Sequence, residues 1–333
     1  RKVTGGERRR RRRRNWRGCG SSGITGWGNR GEVVGRGRTP AYACCPLECN
    51  RFFTPNLLCA RIVLDKRKMA FGCKVLKLMN FTEEPRVVYE RNPLAEVVCQ
   101  LRFPRLLELD DSVPANFQKS LGRSYPSVES RQTVTFHIGN EEGTAPPTSR
   151  RVIYDFSDRD RQYTISLCSD FLAVKTVRYT RWETFLSHIQ CAISALRSSY
   201  DVPFYSRLGL RYVNIIKRAD LGISDVPWTD LIRGSALGLL GDGDIPIDSI
   251  IEQSSATVLS IGNGRVAIRS GINIADDGTT KNYVVDSDFF FDSPMEKDED
   301  AYRLLAYYNG AARNAFRWHI KPRLHDAMEP RDA

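Results

Sequence analysis

Apolar and polar positions fall into regular patterns only after Met79. In Asn92–Phe103 (NPLAEVVCQLRF), Ala95, Val97, Cys99, Leu101 and Phe103 share one face while Glu96, Gln100 and Arg102 share the other. That period of two predicts a strand with one buried face. A helix is expected from about Pro114, with Phe117, Leu121 and Tyr125 as its stripe and Pro126 as its stop. Short strands are expected at Thr133–Ile138, Val152–Phe156, Tyr163–Cys168 and Phe171–Arg178. Between them lie a Gly/Pro/Thr-rich loop at Glu141–Ser149 and tight turns at Asp158–Asp160 and Ser169–Asp170. Thr180-Arg-Trp-Glu183 has the spacing of a capping box and opens a helix whose stripe is Trp182, Phe185, Ile189, Ile193 and Leu196.

The order then restarts. Phe204–Ile216 reads as a strand, and Asp225-Val-Pro227 opens a helix with Trp228, Leu231, Ile232 and Leu239 as its stripe. Strands follow at about Ile250–Ile261, Arg265–Ile274 and Asn282–Phe291, with Gly262-Asn-Gly264 as a hairpin turn. A last helix, opened by a second capping box at Ser293-Pro-Met-Glu296, is expected to run to about His325. The fold class is therefore α+β, a duplicated β-α-β(3-4)-α unit in two halves, about 92–201 and 204–328. Ser112-Val-Pro114 and Asp225-Val-Pro227 are matching helix starts. Each half lays helices on one face of an antiparallel sheet, and the joined sheets would form a curved platform like the TATA-binding-protein-like fold.

Charge changes the picture of the first 78 residues. They hold 20 Lys and Arg against 4 Asp and Glu; with 50 and 39 in the whole chain, residues 79–333 keep 30 against 35. The basic excess, including the run Arg8–Arg14, thus sits in a Gly-rich leader that is expected to be disordered and to be a mis-assigned start, with Met79 or Met69 as the natural one. The body lacks the electrostatic footprint of a nucleic-acid binder, which leaves the leader as the only nucleic-acid candidate. Six of nine cysteines lie in the leader; Cys99, Cys168 and Cys191 fall in apolar patterns and read as free thiols of a reducing, cytoplasmic compartment. No apolar run approaches the ~18 residues of a membrane helix.

The strand Asn92–Phe103 closely resembles the opening of an uncharacterised, sporadically distributed bacterial family whose members are about as long as the chain from Met79 onward. Pro114 with Phe117, Tyr125-Pro126, Leu210-Arg-Tyr-Val-Asn214, Asp286-Ser-Asp288, and Ala312-Arg313 with Phe316 fit the same family. The resemblance covers about 80–333 and implies no activity or cofactor. The family's scattered distribution suggests an accessory role in a mobile-element or defence locus.

Candidate chemistry is sparse. His137, His188, His319 and His325 form no metal or catalytic motif; the last two are six apart on one expected helix and so on different faces. Gly234-Ser-Ala-Leu-Gly238 is not a nucleophile elbow, and no phosphate loop exists. Asp286 and Asp288 point to one side of a strand, roughly 7 Å apart; they could hold a divalent metal for hydrolysis, or form salt bridges to Arg102, Arg211 or Arg269, the favoured alternative. Glu96, Gln100, Arg102, Arg207 and Arg211 would line an open charged platform suited to a protein partner, a peptide or an anion. Tyr302, Tyr307 and Trp318, in a last helix that also carries Tyr308 and Phe316, suggest a dimer or partner interface. No cofactor is expected. The leading expectation is a non-enzymatic interaction protein; the alternative is a metal-dependent hydrolase using Asp286 and Asp288.

Overall fold

The computed structural model describes residues 81–136, 148–242, 244–275 and 277–332, which belong to one compact unit. The leader, both candidate start methionines, His137 and most of the Glu141–Ser149 loop lie outside the described residues.

The chain is mixed α and β, built on one large antiparallel sheet. Its first long strand, β2 (Leu94–Arg102), is followed by two short helices, α1 (Glu108–Asp111) and α2 (Ala115–Leu121). A meander then runs through β3 (Ser127–Phe136), β4 (Thr148–Ser157), β5 (Tyr163–Cys168) and β6 (Phe171–Thr176) into helix α3 (Trp182–Ser199). Next come β7 (Arg207–Ile216), the short helices α4 (Trp228–Leu231) and α5 (Gly234–Leu237), strands β8 (Gln253–Ile261), β9 (Gly264–Ile274) and β10 (Lys281–Phe291), and the long helix α6 (Asp298–His319) with α7 (Pro322–Ala327) after it. Nine strands pair in the order β3-β4-β5-β6-β2-β7-β10-β9-β8. A separate ribbon joins β1 (Val87–Tyr89) to β11 (Pro330–Asp332).

Strand alternation decides which face is buried. On β2, Val97, Cys99 and Leu101 are fully buried, and their partners Leu210 and Leu208 on β7 and Val174 and Leu172 on β6 point the same way. Helices α2, α3 and α6 cover that face: Phe117, Phe185, Ile189, Leu305 and Tyr308 join the same core cluster. A second cluster, around Trp228, Leu231, Tyr283 and Leu324, lies on the same side of β7, β9 and β10. Each buried large side chain contributes about 1.5–3 kcal/mol, so the helix side carries the fold. Among the described residues, no helix is long and apolar enough to cross a membrane.

Several expected boundaries move. Tyr125 is buried but lies beyond α2, whose C-cap Gly122 has φ +67; a positive φ at glycine ends the helix. The helix expected after Asp225 breaks into α4, α5 and a 3₁₀ turn at Gly238 (φ 54), which leaves Leu239 60% exposed. Neither capping box forms. Arg181 is the N-cap of α3, and Glu183 pairs with Arg86 instead. Met295 bridges Tyr205 in extended backbone, so α6 starts later, at the acidic turn Asp298-Glu299-Asp300 that complements a helix N-terminus. There Asp298 accepts hydrogen bonds from Tyr205 (2.7 Å) and Arg197 (2.8 Å). His319 and His325 sit on separate helices, α6 and α7. The β8–β9 hairpin turns through Gly262 and Asn263, but the positive φ falls on Gly264 (+120°), where a Cβ would stand 2.5 Å from the Phe290 carbonyl oxygen.

Candidate functional site

The face of the sheet away from the helices is covered by no described helix and carries the charged residues singled out above. Register brings them together. Across β6-β2-β7-β10-β9, one row reads Lys175, Val98, Arg211, Asp288, Ala267, and the next reads Ala173, Gln100, Gly209, Phe290, Arg265. Gly209 shapes this surface. A Cβ there would lie 2.8 Å from Arg207 Nη1, so the missing side chain lets Arg207 fold across its own strand. Arg207 then donates to Asp288 (2.9 Å) and Gln100 (3.4 Å), reaches Asp292 (3.4 Å), and stacks 4.9 Å from the Phe290 ring centroid. Arg265 approaches the same ring at 5.3 Å and pairs with Asp292 at 3.1 Å.

Arg211 forks onto Asp286 with two hydrogen bonds, 2.7 and 2.9 Å, while Arg269 stands 3.6 Å from the same carboxylate. The Asp286 hydrogen bond raises the Arg211 pKa above its ordinary value. The two aspartates therefore do not meet around a cation: each is neutralised by an arginine of a neighbouring strand. Among the described residues, no group of three or more His, Cys, Asp or Glu side chains could hold a metal ion. Arg102 lies opposite Arg207 and is exposed, without a carboxylate partner among the described residues, and Glu96 pairs loosely with Lys175 at 3.6 Å. Arg265, Phe290, Asp292 and Lys175 belong to this surface although the sequence reading passed over them. The signal was present, because Arg265 and Arg269 repeat on β9 the spacing of Arg207 and Arg211 on β7.

The aromatic residues of α6 do not form a free patch. Residues 81–92 run as a strap along α6. Phe81 packs against Trp318 (5.9 Å between centroids), Tyr89 against Phe316 (6.3 Å), and the Glu84 amide donates to Asn314. Arg233 covers the Trp318 ring at 5.1 Å. Tyr302 and Tyr307 are half-buried against the main core. The expected interface of Tyr302, Tyr307 and Trp318 is thus occupied largely by the chain itself.

The three described histidines are absorbed into packing as well. His188 stacks on Tyr163 (3.7 Å) and meets the Tyr125 hydroxyl at 2.5 Å. His319 is buried against Tyr283, and burial lowers its pKa to about 4. His325 Nδ1 lies 2.8 Å from the Tyr89 hydroxyl.

Beneath the strap, on the helix side, lies a cavity of ≈ 140 Å³. Four segments distant in sequence build it: the strap, the turn leading into α3, the inward residues of β7, and one side of α6. Its polar lining includes Arg86, Arg181, Arg313, Arg317, Asn214 and Asn309. The Tyr212 hydroxyl donates to Asn309 Oδ1 at 2.9 Å, and burial pushes the neighbouring Tyr179 phenol up to about 12, so it stays protonated. Arg86 forks onto Glu183 at 2.8 and 2.9 Å, and Arg86 is the main reason the Glu183 carboxyl falls to about 2. Both side chains are about half exposed, 46% and 57%. The pair therefore fixes geometry more than it adds stability.

No family model matches the chain, and no curated protein or solved structure is significantly similar to it.

Proposed function

We propose that this chain is a non-enzymatic binding module of bacterial origin that docks an acidic protein surface on its uncovered sheet face. The vertical order of charge supports the reading. Asp286 lies low, 10% exposed, while Arg269 (61%) and Arg265 (53%) stand above it. Over β6, β2, β7, β10 and β9 this face sets Lys175, Arg102, Arg207, Arg211, Arg265 and Arg269 against Glu96, Asp286, Asp288 and Asp292, a cationic excess. Guanidinium groups already held by carboxylates lose little further freedom on binding, which favours association.

Membership in the bacterial family suggested by Asn92–Phe103 is part of this proposal, as is a cytoplasmic setting, which the free thiols of Cys99, Cys168 and Cys191 support. So is an origin by duplication in a TATA-binding-protein-like arrangement. In each half a central strand (β2 or β7) leads through short helices to a meander whose last strand (β6 or β10) pairs with the first, and a long helix (α3 or α6) follows.

Affinity capture from host extract tests the docking reading, with the full chain compared against Arg265→Glu/Arg269→Glu. A partner held by the wild type and weakened at least about tenfold by charge reversal is expected. A partner that binds both forms equally would refute the assignment of this face.

A further inference from the structure

The cavity under the strap lies on the other side of the sheet from the docking face and stands independently of that reading. Its lining has four arginines and no Asp or Glu. Two are engaged from outside the lining: Arg86 by Glu183, and Arg317 by Glu84 at 3.8 Å. The side chains of the other two, Arg181 and Arg313, have no hydrogen-bond or ion-pair partner among the described residues; Arg181 is exposed, while Arg313 is half-buried with its Nε closed off from solvent. Folded proteins rarely leave a buried guanidinium N–H without an acceptor, and an ion or water in the site is the ordinary resolution.

Two further features point the same way. Trp182, the first residue of the 18-residue helix α3, lines the cavity, and no N-cap side chain closes that helix end, although the Glu183 carboxylate in its first turn accepts from its own amide; a helix N-terminus favours negative charge. Asn309 Oδ1 accepts from the Tyr212 hydroxyl, which leaves the amide NH₂ as a donor. Leu94 and Phe316 supply apolar wall beside these groups. The volume is close to the ~150 Å³ at which an engineered cavity accepts benzene, so the occupant is small.

We propose that this cavity binds a small oxyanion, the carboxylate or phosphate group of a small molecule, through Arg181 and Arg313. The fork geometry of guanidinium matches both groups.

The test titrates the full chain by calorimetry with inorganic phosphate, with benzoate, and with benzamide as an uncharged isostere. Saturable binding of phosphate or benzoate, and none of benzamide, is expected. Binding of phosphate alone assigns a phosphate group, and binding of benzoate alone assigns an aromatic acid. Arg181→Gln and Arg313→Gln should each weaken binding at least about tenfold, while Arg131→Gln, outside the cavity lining, leaves it unchanged. Should Arg313→Gln fail to fold, hydrogen exchange on the wild type decides, with the anion expected to slow exchange over 86–94 and 309–317. No saturable binding of either anion, equal binding of benzamide, binding unaffected by Arg181→Gln, or no protection over those segments would each overturn the proposal.

Discussion

The two arginine-rich regions of this molecule differ in what answers their charge. On the open sheet face, Arg207, Arg211, Arg265 and Arg269 all reach carboxylates contributed by β10 and the residue just after it. In the cavity under the strap, four arginines meet no carboxylate in the lining, and two have no ion-pair partner among the described residues. An arginine paired across strands is part of the architecture, and removing it strands an acid. A half-buried arginine whose Nε meets no acceptor, as at Arg313, is not explained by pairing within the fold, so its presence points to something it binds. Among the described residues of the open face, Arg102 lacks a carboxylate; like Arg181 it is exposed, and an exposed guanidinium has no desolvation penalty to recover.

The largest expected effect breaks the open-face pairing. Arg211→Ala leaves Asp286 nearly buried with only the longer Arg269 contact and should lower unfolding free energy by about 2–4 kcal/mol in urea titrations. Adding Asp286→Asn should return part of that loss. Arg181→Gln in the cavity should stay within about 0.5 kcal/mol, and equal losses at the two sites would erase the contrast.

Acid tests the core behind the cavity. His319 is held neutral, with a folded pKa of about 4 against an ordinary value near 6.5. The unfolded chain therefore takes the proton first. Stability should fall as pH drops from about 6.5 to 4, by about 2–3 kcal/mol in total, and not change on this account above 6.5. His319→Gln should flatten that slope in pH-dependent unfolding.

Asp288→Asn should cost less, about 1 kcal/mol, because Arg207 keeps Asp292 and the Phe290 ring. The smallest effect belongs to salt. Raising NaCl to about 1 M should weaken the half-exposed Arg265–Asp292 pair by a few tenths of a kcal/mol, read as a smaller Arg265→Ala penalty.

Much of the sheet was legible in the sequence because strand alternation is local: Val97, Cys99 and Leu101 declared their face, and the stripe of α3 is buried as its periodicity requires. The Asp286 pairing was legible as one of two alternatives, since a carboxylate on a strand flanked by arginine-bearing strands has an obvious neighbour. The capping boxes failed because the spacing says nothing about tertiary competitors; Arg86 takes the Glu183 carboxylate, and Tyr205 holds Met295 extended. The aromatic surplus of α6 looked like an interface because the strap that covers it comes from Phe81–Asn92, more than two hundred residues earlier. The cavity left no local trace for the same reason, as its arginines come from three separate segments.

Arginine side-chain NMR tests the contrast most directly, following the Nε–H signals of the full chain as inorganic phosphate is added. The account predicts saturable shifts for Arg181 and Arg313, with Arg207 and Arg211 unmoved. Uniform drift of all arginine signals, or a saturable shift at Arg211 with Arg313 silent, would contradict it.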